Sequence, residues 1–198
     1  MIPLLALATL TGYTYWVEPC IPAASQCKPE DTQLAEWALT AWHQASGGAV
    51  TFRRVEKRED AQFRFIWAAV GRAGLFGEVR PIEVNGQRGA EIYIRPALEQ
   101  FGPHIATIAA GDPLFRETIV YLTCLHESGH ALGLPHTPEF ADAMYSFQNG
   151  GDVLEYFLRY SRRLRQRDDI AKHSGLSSSD IERVRELLVK QTASAKRE

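Results

Sequence analysis

The chain has 198 residues, 45% of them apolar and 23% charged, with a formal net charge of -2. That length suits one medium domain with a core, and the composition excludes disordered and collagen-like chains. The near-neutral balance carries no global attraction for nucleic acid or an anionic membrane, so neither is expected as a partner.

Residues 1–10 read as the remnant of a signal peptide or as an N-terminal arm. The stretch is apolar but far short of the ~20 residues of a membrane span, and no Lys or Arg precedes it. Residues 11–198 read as a single domain. Residues 13–17 (YTYWV) are aromatic and β-branched and predict a first strand. Cys20 and Cys27 then share a short Pro-containing loop, which leaves both a disulfide and two reduced thiols open. A helix is expected from Asp31, with Leu34, Trp37, Ala38, Ala41 and Trp42 on one stripe and Gly47-Gly48 beyond its end.

Residues 50–55 and 61–67 predict two further strands, the second with Phe63, Phe65 and Trp67 on one face. Gly71, Gly74 and Gly77 interrupt the pattern before a strand around residues 75–84. Asn85-Gly86 is a turn signal, with residues 87–89 extending the connection before a short strand at 91–95. Residues 97–111 look like loop. Asp112-Pro113 then starts a long helix whose inward stripe is Phe115, Ile119, Leu122, Leu125 and Gly129, and which Gly133 can end. Cys124 within it reads as a small buried hydrophobe. A helix at 152–167 and a last one entered through Ser179 and Glu182, at capping-box spacing, complete an α+β fold. The five arginines between Arg159 and Arg167 are read as a solvated helix face rather than a polyanion site.

The stretch that carries chemistry is HESGHALGLPH, residues 126–136. His126 and His130 lie four apart, so on a helix both imidazoles leave one face, a turn apart. Two such nitrogens can hold one zinc ion at ~2.0–2.1 Å each. Glu127 stands ~100° round the helix, placed to reach a water on the metal without being a ligand. Gly133 lets the chain turn back and bring His136 in as third ligand. With 6 His in 198 residues, this pattern arises by chance on the order of once in ten million start positions.

HExxHxxGxxH followed by a methionine resembles the metzincin signature, whose methionine sits in a tight turn beneath the zinc. Met144, eight residues past His136, matches that Met-turn. Within metzincins the chain resembles matrixins: HESGHALGLPH and AMY are similar to their HExGHxLGLxHS and AxMYP, and LAEWALTAW, GGAVTF, DAQFRFIW and the later Leu176-Ser177 with Asp180-Ile181 are similar to other parts of that domain. The resemblance implies a twisted mixed sheet above an active-site helix, one catalytic Zn2+, a protein or peptide substrate, and an exported enzyme. Its activity would be endopeptidase hydrolysis by a metal-activated water, with Glu127 as general base. It also implies an edge strand near residues 75–79, with Gly77 where a substrate backbone approaches, and a pocket walled by Ser146 and Phe147.

Several positions depart from the matrixin pattern. Residues 71–89 contain no histidine, so no structural zinc is expected, and calcium is left open. Thr137 replaces the family's serine and Ser146 its proline, and latency through a cysteine-switch segment is not expected. Two other readings keep the metal: a binding module without catalysis, against which Glu127 argues, and a small-molecule amidase or deformylase, against which Gly133, His136 and Met144 argue.

Overall fold

A computed structural model describes residues 10–69 and 77–195. The expected N-terminal segment, apart from the exposed Leu10, lies outside the described residues, as do Gly71, Gly74 and Leu75. In chain order the elements are β1 (Thr11–Val17), α1 (Pro22–Ser25), α2 (Asp31–Ala45), β2 (Val50–Arg54), β3 (Phe63–Trp67), β4 (Gly77–Val84), β5 (Gln87–Ile94), α3 (Pro103–Gly111), α4 (Pro113–Leu132), α5 (Val153–Ser161) and α6 (Ser178–Ala195). This is an α+β fold with a mixed, mostly parallel sheet.

The sheet runs β2-β1-β3-β5-β4. Every pairing is parallel except the last, where β4 returns antiparallel along β5. Alternation puts Phe63, Phe65 and Trp67 on one face, and register carries that face into Ile92 and Ile94. All five are buried, with α4 packed against β4, β5 and α2. The opposite face carries Arg64 and Glu91, which pair with each other and, through Glu91, with Arg58.

Two devices fix α4. Asp112 accepts a hydrogen bond from the Phe115 amide at 3.0 Å, with Pro113 in the first turn. Trp42 of α2, fully buried, donates from its indole nitrogen to the Leu125 carbonyl at 3.0 Å and the Ser128 hydroxyl at 3.1 Å. Near the head of the helix Arg116 pairs with Asp31, both side chains buried. Arg116 also donates to the Gln26 carbonyl, inside the loop closed by a Cys20–Cys27 disulfide. That disulfide is compatible with an extracellular protein. No helix of the described residues is long and apolar enough to cross a membrane.

Four sequence expectations need correction. Residues 103–111 form α3, not loop, because Pro103 occupies a first-turn position that needs no amide donor. Val84 pairs directly with Gln87, so Asn85 and Gly86, at φ 52° and 74°, make a tight two-residue turn of the I′ kind, and β5 starts at once. Helix α5 ends at Ser161 rather than 167, where the Asp169 carboxylate accepts from the amides of Arg165 and Gln166 and draws the chain out of the helix. The last helix is entered through Ser177 and Asp180, whose side chains each accept from the other's amide at 3.0 Å, in place of Ser179 and Glu182. The arginine run is dispersed: Arg162 pairs with Glu155, Arg159 lies over Phe140 and Tyr156, and Arg167 stacks on Trp37 beside Glu117.

Candidate metal centre

His126 and His130 project from one face of α4. Gly133 ends the helix with φ 111°, its amide returning to the Gly129 and His130 carbonyls. The chain then reverses and carries His136 to the same point. The three Nε2 atoms form a triangle with sides of 3.1, 3.1 and 3.0 Å. The far nitrogens of the two helical ligands are held by backbone, His126 Nδ1 on the Ala143 carbonyl at 2.7 Å and His130 Nδ1 on the Leu134 carbonyl at 2.8 Å. A carbonyl can only accept, so each of these Nδ1 atoms carries the proton and each Nε2 presents a bare lone pair.

Lone pairs facing one another at that range repel unless a cation lies between them. In a tetrahedral site with nitrogens at ~2.05 Å the donors stand ~3.3 Å apart, close to the observed triangle. The three histidines can therefore hold a metal ion, and a set of neutral imidazoles is compatible with zinc. Burial also favours the neutral rings. It pushes His126 down to about 3, aided by the neighbouring His130, and lowers His130 and His136 as well.

Met144, fully buried, lies beneath the helix. Gly129, between the two helical ligands, makes room for it. A Cβ there would lie 2.4 Å from the Met144 sulfur and 2.9 Å from Trp42. The turn that carries Met144 is tied on both sides. Thr137 donates its amide to the Met144 carbonyl at 2.9 Å and accepts from the Ser146 amide at 3.1 Å. The Asp180 carboxylate accepts from the Ala143 amide at 2.7 Å and the Met144 amide at 3.4 Å. Asp142 in turn accepts from the hydroxyls of Ser177 and Ser179. Ala143 thus has its amide on Asp180 while its carbonyl orients His126. Sequence reasoning assigned no role to Asp142 or Asp180; the only signal was the similarity of Leu176-Ser177 and Asp180-Ile181 to a matrixin helix start.

Glu127 is 7% exposed and lies on the same cleft as the histidines. Burial, with a smaller contribution from the negative charge of Glu78, pushes its carboxyl up to about 8. The cleft has a volume of about 350 Å³. Gly77, Glu78 and Val79 of β4 form one rim, and β4 is the edge strand. Phe147 lies on the wall with Leu122, Tyr145 and Ser146. Tyr145 donates its hydroxyl to the Gly150 carbonyl at 2.7 Å. The sequence reading did not include Tyr156 and Phe157 of α5, which complete this aromatic wall, Tyr156 meeting Phe147 edge-on with centroids 5.1 Å apart. No local motif marks them, because only the packing of α5 brings them to the cleft.

No protein-family model matches the chain, and no curated protein matches it.

Proposed function

We propose that the protein is a zinc-dependent endopeptidase of the metzincin type, similar to matrixins, acting on exported or extracellular protein substrates. One observation carries the reading: three inward-facing Nε2 atoms beside a buried carboxylate, in a cleft with the edge strand of the sheet on one side and an apolar wall on the other. His126, His130 and His136 would hold the zinc ion, which when bound would supply Lewis acidity for hydrolysis.

The chain's own residues do the remaining work. Glu127 accepts the proton of the attacking water at its carboxylate and passes it to the leaving amine. Burial raises its proton affinity in the metal-free protein, which suits donation to the leaving amine, and the charge of a bound cation would lower it for the first step. As the edge strand, β4 would offer main-chain donors and acceptors to an extended peptide, aligning it along the cleft. Leu122, Phe147, Tyr156 and Phe157 receive an apolar side chain next to the cleaved bond. The Cys20–Cys27 disulfide supports an oxidising compartment.

The test is incubation of the zinc-loaded protein with a diverse peptide library, with and without a chelator. Internal cleavage next to large apolar residues, lost with chelator and restored by zinc, is the expected result. Hydrolysis confined to small acyl-amides would instead favour an amidase or deformylase.

A further inference from the structure

Gly77 opens β4 and pairs with Ile94 of β5. What excludes a side chain is Glu127. A Cβ on Gly77 would lie 2.4 Å from Glu127 Cγ, 2.6 Å from Oε1 and 2.7 Å from Cδ, where carbon atoms normally keep about 3.5–4.0 Å. Three successive atoms of the side chain are involved, so rotating the carboxylate tip alone does not relieve the overlap.

We infer that Gly77 is a positioning residue for Glu127: its missing side chain lets the edge strand press on the glutamate and fix the carboxylate within the cleft. The same strand start forms the cleft rim, so the element offered to a substrate also sets the base. This gives Gly77 a role distinct from substrate contact. Only the kinetic consequence rests on the proposed peptidase; the contact does not.

Gly77→Ala moves the Glu127 side chain by roughly 1 Å, and a misplacement of that size can cost about 100-fold in rate. The expected kinetic result is kcat lower by about 10–100-fold, with KM and zinc stoichiometry close to wild type. A double-mutant cycle on melting temperature reads the contact without any substrate. With Glu127 present, Gly77→Ala lowers Tm. In a Glu127→Ala background the colliding atoms are gone, and the same substitution leaves Tm unchanged or raises it, since glycine weakens strands and loosens the unfolded chain. Equal Tm shifts in both backgrounds would overturn the inference. A cycle that shows the coupling in a protein that cleaves no peptide would leave the contact standing and remove the peptidase reading.

Discussion

Around the three histidines, single side chains have opposite effects on stability as pH changes. His126 in the fold takes a proton only near about 3, against an ordinary 6.5. As pH falls between those values the unfolded chain gains a proton that the folded chain refuses, so stability is lost on acidification. Glu127 runs the other way. Its carboxyl holds a proton up to about 8 against an ordinary 4.5, so in metal-free protein stability falls as pH rises through that window. Glu127→Gln removes the second effect only. Melting curves of the metal-free proteins should coincide near pH 4 and separate toward pH 8, with the variant melting higher; coincidence at pH 8 would mean that Glu127 is not held protonated. A bound divalent cation would draw that proton off by its charge and reduce the gap.

Gly129 sets a propensity gain against a packing loss. In an open helix, Gly129→Ala would stabilise by about 1 kcal/mol. Here the new methyl meets the Met144 sulfur and Trp42 in a filled core, where overpacking costs about 1–3 kcal/mol. The packing cost prevails, and chemical denaturation should show net destabilisation. A stabilised variant would show that Met144 has room to move.

Among elements, α6 has more to do with the metal centre than its distance along the chain suggests. Asp180 both caps that helix and holds the Ala143 and Met144 amides. Asp180→Ala therefore loses a cap and strands buried donors, for about 3 kcal/mol together. Because the Ala143 carbonyl orients His126, zinc affinity should fall too, by about 10–100-fold. Denaturant melts and chelator competition measure the two; a stability loss with unchanged affinity would separate the turn from the ligand. Asp180 could not be read from sequence as part of the site, because its partners lie 36 and 37 residues away. The hydrophobic stripe of α4 and the alternation in β3 were legible, since each depends on residues a turn or a pleat apart. Helix α3 was missed because Gly102-Pro103 looks like a break in sequence, whereas that proline opens the helix.

At the scale of the molecule, one sheet edge and one helix define a cleft, and the three histidines that can hold a metal lie where they meet. The pattern of three histidines, a glutamate and a glycine was fully local and could be read directly. Strand order could not, nor could the closing of the cleft by α5, since both are set by packing between distant segments. The proposed peptidase requires Glu127 to use the metal site without holding the metal. The most direct measurement compares zinc content and peptide cleavage in wild type and Glu127→Gln, which keeps the side-chain shape but cannot accept the proton. The prediction is equal zinc stoichiometry with cleavage lower by about 10²–10⁴-fold; equal cleavage, or zinc lost with the carboxylate, would contradict it.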